Sequence, residues 1–210
     1  MIPRYETQEI KSVWTDQNRF KRWLDVEIAA CRAWNEAGEI PDEDCRNIAE
    51  KADFDVDRIR EIEEITQHDV IAFVSSVAEK IGESGRFVHL GLTSSDVIDT
   101  ASSLLLAESM QIIISSLQEL HKVVGKKALE YKMTPCAGRT HGIHAEPTTF
   151  GLKLLNHYAE LGRDIERLIQ TRKEMMVGKL SGAVGTYANC PPSIEARVCE
   201  ILGLGVDAVA

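Results

Sequence analysis

The 210-residue chain carries 24 Lys and Arg against 33 Asp and Glu, a formal charge of −9, which disfavours non-specific attraction to nucleic acid or anionic membrane. Its five cysteines, Cys31, Cys45, Cys136, Cys190 and Cys199, are widely spaced with no C-x-x-C pair, so reduced thiols are expected rather than a disulfide framework or zinc ribbon. The opening Met-Ile-Pro-Arg-Tyr-Glu lacks the form of a signal peptide. The longest apolar runs, Leu104 to Leu106 and Ile112 to Ile114, fall far short of the ~20 residues that span a bilayer, so a soluble cytoplasmic chain is expected.

In chain order, Thr7 is placed to cap a helix running to about Ala37, with Ile10, Trp14, Leu24, Ile28 and Cys31 near one stripe and Gly38 as the stop. Shorter helical patterns run from Pro41 to Ala52, Val56 to Ile65, and Asp69 to Ile81, where Gly82 and Gly85 interrupt. No alternating strand of convincing length is visible. Thr93-Ser94-Ser95-Asp96 has the form of a capping box and opens a helical pattern to about Tyr131, a rod of roughly 55 Å. Leu106, Met110, Ile113, Leu117, Leu120 and Val124 alternate steps of four and three, the repeat of a helix packed along a nearly parallel neighbour. Continued backward, this seam meets Ser103, Asp99 and Asp96, which suits either a pocket at one end of a bundle or a solvated helix end.

Pro147 is expected to start a further helix reaching about Val177, with Leu154, Tyr158, Leu161, Ile165, Leu168 and Met175 in the same stepping and Arg172 interrupting it. The glycine-rich turn GKLSGAVGTYAN (residues 178–189) and Pro191-Pro192 lead to a last helix from Ser193 to Leu202. Long apolar seams without partners, and an ending in GVDAVA without a cap, raise the expectation of an oligomer and of a truncated chain.

Three polar clusters interrupt these patterns. GRTHGIHAEPTT (residues 138–149) sets His141 and His144 three apart. It fits a metal site, a helix-to-helix turn, or a catalytic turn in which a rigid backbone aims one near-neutral imidazole into a pocket. In ITQHDV (residues 65–70), Gln67, His68 and Asp69 sit at a helix boundary, where Asp69 is also a plausible cap. In HLGLTSSD (residues 89–96), hydroxyls and backbone N–H groups gather at a helix start, a natural place for an anion, although Thr93 is again a plausible cap.

Taken together, GLTSSDVIDTA (91–101), GRTHGIHAEPTTFGLK (138–153) and GKLSGAVGTYAN (178–189), in this order and spacing, resemble the fumarase/aspartase superfamily. IPRYET (2–7) and TQHDVIAFV (66–74) are similar to its purine-nucleotide branch, so the resemblance covers essentially the whole chain. It implies an all-α enzyme, with an N-terminal helical domain over residues 1–93 and the first long helices of a central bundle over 94–210. It further implies a homotetramer that eliminates fumarate from adenylosuccinate and from the corresponding succinyl-carboxamide ribotide. By the same resemblance His141 is the general acid with Thr140 beside the substrate, and His68 orients the substrate and assists proton transfer. Arg4, Tyr5, Gln67, Asp69, Thr93 and Ser94 fall on nucleotide-binding positions, and His89 lies near the phosphate. The partner is a small purine nucleotide, and neither a metal nor an organic cofactor is required.

One departure is expected to matter. The superfamily's third segment, a glycine-serine loop with a Met-Pro-x-Lys-x-Asn core carrying the base, does not occur in these residues, so the chain by itself is expected to be inactive. The alternatives are another fumarate-releasing member, such as an argininosuccinate-type lyase, against which PRYET and TQHD count, and a helical oligomerisation scaffold.

Overall fold

The computed structural model describes residues 2–209. Its helices are α1 (Gln8–Val13), α2 (Asp16–Glu36), α3 (Asp42–Lys51), α4 (Val56–Thr66), α5 (Asp69–Ile81), α6 (Ser94–Glu130), α7 (Phe150–Met175) and α8 (Pro192–Leu202). The strands are β1 (Pro135–Thr140), β2 (Ile143–Thr149), β3 (Val177–Gly178) and β4 (Gly205–Val206). The expected all-α architecture holds. The expectation of no strand does not, because β1 and β2 form an antiparallel hairpin where only a turn was foreseen.

The chain divides into two compact units, Met1–Glu108 with Met175–Ala210, and Ser109–Glu174. In the first, the single long helix expected from Thr7 is broken. Thr7 caps α1 by accepting from Ile10 N, and Thr15 caps α2 by accepting from Asn18 N. A second cap at Thr15 ends the first helix, and Trp14, placed by periodicity on the apolar stripe, is 46% exposed. The core gathers around Phe73, whose ring stacks on Phe20 at 5.7 Å and meets Trp23 edge-on at 5.5 Å. On another face of α2, Ala29, Ala30 and Ala33 pack with Leu180, Cys190, Ile194 and Val198, small residues that let α8 approach closely. The start of α6 belongs to the same unit, with Val97, Ala101 and Leu105 buried.

The second unit contains the rest of α6, the hairpin and α7. The α7 seam is as expected: Ile165 is buried, and Leu154, Tyr158, Leu161, Leu168 and Met175 are half-buried. The α6 seam keeps Met110, Leu117 and Val124 as expected but shifts by one residue at its alternate positions. Ile114 and Ala128 are buried and Leu117, His121 and Val124 half-buried, while Ile113 and Leu120 are exposed. The reason is Tyr158, whose ring stacks on His121 at 3.8 Å and fills the space over Gly125, where an added Cβ would lie 2.8 Å from it. Contrary to the reading of its apolar runs, α6 is long and apolar enough by composition to cross a bilayer. The leucines, isoleucines and alanines of its first half, with few charges among them, outweigh the intervening serines, while its first turns are core.

Candidate active site

The GRTHG stretch is the tip of the hairpin. Thr140 and Ile143 are the last paired residues, leaving His141 and Gly142 as a two-residue turn with φ of 50° and 75°. Positive φ at both central positions is what a type I′ turn demands, and it matches the twist of the flanking strands. Thr140, His141 and His144 are all exposed. The register shifts between Ala137 and Arg139, and a Cβ on Gly138 would lie 2.5 Å from the Glu146 carbonyl oxygen, so glycine is required at the bulge. Pro147 lies within β2 opposite Ala137 and does not start the helix. A hairpin edge tolerates its missing N–H, and Thr149 caps α7 by accepting from Leu152 N at 3.2 Å.

The TQHD stretch is a junction between two helices. Gln67 ends α4 in the left-handed region (φ 52°), and its side-chain amide donates to the Glu64 carbonyl. His68 caps α5 through Nδ1, which accepts from Ile71 N at 3.3 Å. An accepting Nδ1 leaves Nε2 as the protonated nitrogen. The 3.6 Å approach of Asp69 Oδ1 to the same Nδ1 is therefore proximity rather than an ion pair, and that oxygen already accepts from Val70 N. Gln67, His68 and Asp69 are exposed, and His68 presents a donor.

At the start of α6, Thr93 N donates to Asp96 Oδ2 at 2.9 Å, the return bond of the capping box. Asp96 is fully buried, and its Oδ1 accepts from Lys179 Nζ at 3.0 Å and from Gly182 N at 3.2 Å. The GKLSGAVGTYAN segment is thereby tied to the α6 start. Thr100 reinforces it by donating to the Lys179 carbonyl, and buried Glu195 accepts from Leu180 N and the Tyr187 hydroxyl, both at 2.8 Å. Half-buried Thr93 and Ser94 sit beside this frame. His89 precedes it with φ 68°, its backbone N–H and ring both held by buried Glu27.

Arg4 and Tyr5, in a 3-10 turn over Pro3–Tyr5, are exposed, with the guanidinium 4.8 Å from the Tyr5 ring centroid and donating to its hydroxyl. The sequence-derived residues thus form separate groups. Arg4 with Tyr5, Gln67 with His68 and Asp69, and His89 with Thr93 and Ser94 belong to the first unit, where no hydrogen bond or ion pair among the described residues joins them. Thr140 and His141 belong to the second unit. No cluster of three or more potential metal ligands exists among the described residues. Glu27, Lys179 and Glu195 stand outside the sequence-derived set. The signal for Glu27 was present, because Trp23, Glu27, Ala30 and Trp34 step by four, three and four and so place a carboxylate on the buried stripe of α2.

One backbone feature recurs in three of these groups. Among the described residues the non-glycine positions with positive φ are Gln67, His89, His141 and Tyr187. Three of these are sequence-derived candidate residues, and the fourth lies in the 178–189 loop. Such conformations cluster where function over-determines the backbone.

The lyase family model matches residues 4–209, and the chain belongs to that family. It is 54% identical over 204 residues to the adenylosuccinate lyase of Staphylococcus saprophyticus subsp. saprophyticus, covering 97% of this chain and 47% of that protein. The chain therefore spans about half the length of that curated relative. Among solved structures, the fumarate lyase from Mesorhizobium sp. BNC1 superposes with a TM-score of 0.90 at 28% identity, covering 96% of this chain and 49% of the other. The 3-carboxy-cis,cis-muconate lactonizing enzyme from Pseudomonas putida gives 0.89 at 28% identity, covering 98% and 49%.

Proposed function

We propose that these residues are part of an adenylosuccinate lyase. It cleaves adenylosuccinate to AMP and fumarate, and the corresponding succinyl-aminoimidazole-carboxamide ribotide in the same way, as a cytoplasmic homotetramer that needs no cofactor. The observation that carries the reading is the 54% identity to an enzyme of that name across 97% of the chain. In this reading residues 1–93 are the N-terminal helical domain and the central bundle starts at Ser94.

Breaking the C–N bond requires removal of a weakly acidic carbon-bound proton and protonation of the departing purine nitrogen. His141, displayed at a tight turn, supplies the second proton, and Thr140 beside it contacts the substrate. His68 orients the succinyl portion through its Nε2–H. Arg4, Tyr5, Gln67, Asp69, Thr93 and Ser94 hold the nucleotide, and His89 with the α6 N-terminus holds the phosphate. Half-length coverage supports the further proposal that the 210 residues alone do not turn over.

The test is an assay of a protein of the relatives' full length that contains these residues. Fumarate release from adenylosuccinate, and none from argininosuccinate, is the expected result. The reverse preference, or no release from either, would remove the reading, and release by the 210 residues alone would overturn the claim of inactivity.

A further inference from the structure

Three buried carboxylates occur among the described residues, and two serve the 178–189 loop. Glu27, 1% exposed, is different because both its oxygens are used on one residue. Oε2 accepts from the His89 backbone N–H at 2.8 Å and Oε1 meets His89 Nδ1 at 2.7 Å. A carboxylate taken out of water is costly unless paired, and a left-handed backbone is unfavourable for a histidine. The fold carries both costs to hold one imidazole in one orientation. His89 is 16% exposed, and its Nε2 has no protein partner among the described residues.

We infer that Glu27 is the positioning residue of the phosphate subsite: its carboxylate fixes the His89 ring with Nδ1 engaged inside the fold and Nε2 as the donor left for a phosphate monoester. The inference rests on the reading of His89 as the phosphate contact. The charged groups facing His89 are Glu27 from α2 and Asp96 from α6, and Asp96 is itself paired with Lys179. Burial works against charge on the ring. The hydrogen bond to Glu27 and the negative charges of Glu27 and Asp96 outweigh it, and the His89 pKa is raised. An imidazolium here places a donor and a positive charge on a chain whose net charge of −9 otherwise repels phosphate. Trp34 steadies the segment by donating to the Leu90 carbonyl at 2.9 Å, and Gly91 lies so close to Asn189 that a Cβ would sit 2.5 Å from its carbonyl oxygen.

The experiment uses the 210-residue chain with 15N-labelled histidines, titrated with inorganic phosphate from about pH 6 to about pH 8, with His89→Gln assigning the resonance. Phosphate is expected to shift the His89 ring nitrogens saturably, with binding weakening as His89 deprotonates. Glu27→Gln is expected to lower the His89 pKa and weaken phosphate binding about tenfold, the loss of one charge-assisted bond, while the titrations of His68 and His141 stay unchanged. Glu27→Asp is expected to recover part of the affinity, and it replaces the glutamine variant if that does not fold. The inference is overturned if saturating phosphate leaves wild-type His89 unmoved, or if a variant whose His89 pKa has dropped binds phosphate as well as wild type. Binding is read without turnover. A protein that binds phosphate through His89 yet releases no fumarate at full length would therefore sink the lyase reading and leave this inference standing.

Discussion

At the scale of single residues, His141 is poorly suited to its own turn. A type I′ hairpin favours Asn-Gly, and an L-residue other than Asn or Asp in the left-handed region costs roughly 1–2 kcal/mol. His141→Asn is therefore expected to stabilise the chain by about 0.5–1 kcal/mol in urea unfolding while removing the proposed proton donor. Equal or lower stability would show that the histidine makes compensating contacts. Glu27 and His89 give a second expectation. The His89 pKa is raised in the fold, so its contribution to stability is full below the unfolded value near ~6.5 and is lost as pH rises through the folded one. Melts at about pH 6 and about pH 9 should show that loss, and Glu27→Gln should flatten it. His141, His68 and Gln67 were legible as residue types in dense polar stretches. Their positive-φ or capping geometry was not, because one-letter patterns do not distinguish a histidine that caps a helix from one that tips a hairpin.

At the scale of elements, the caps and seams were the legible part. Thr7, the α6 start and the α7 stepping from Leu154 to Met175 appear as the sequence implies. The hairpin did not, because each strand carries a turn-like glycine or a proline: Gly138 makes the bulge and Pro147 sits in β2, both of which break the alternation that marks a strand. His-Gly at its centre is one substitution from the strongest hairpin signal. The 178–189 loop illustrates the reverse problem, since a glycine-rich run reads as loose while buried Asp96 and Glu195 bind it at several points. Lys179→Met should leave Asp96 buried without its counter-charge and cost about 3–5 kcal/mol, measured by denaturant unfolding. Adding Asp96→Asn should recover part of that loss, whereas a double variant as unstable as the sum of the singles would argue that the pair is not coupled.

At the scale of the whole molecule, the unit formed by residues 109–174 keeps an apolar face. An open groove of about 710 Å³ is lined by Leu129, Leu152, Leu155 and Tyr158 with Lys122 and Lys126, and Leu129 is 73% exposed. Under the proposed tetramer, this apolar surface is assigned as an association face. Leu129→Glu combined with Leu155→Glu is expected to lower the mass seen by light scattering without changing the circular dichroism, and an unchanged mass would separate this face from assembly. The proposed role of His141 as proton donor of an adenylosuccinate-cleaving lyase is open to one decisive assay, fumarate release from adenylosuccinate by the full-length protein bearing His141→Gln. A fall in kcat of at least ~100-fold is expected, the contribution of one general acid, with circular dichroism and phosphate binding at His89 unchanged; activity within about twofold of wild type would rule out His141 as the proton donor.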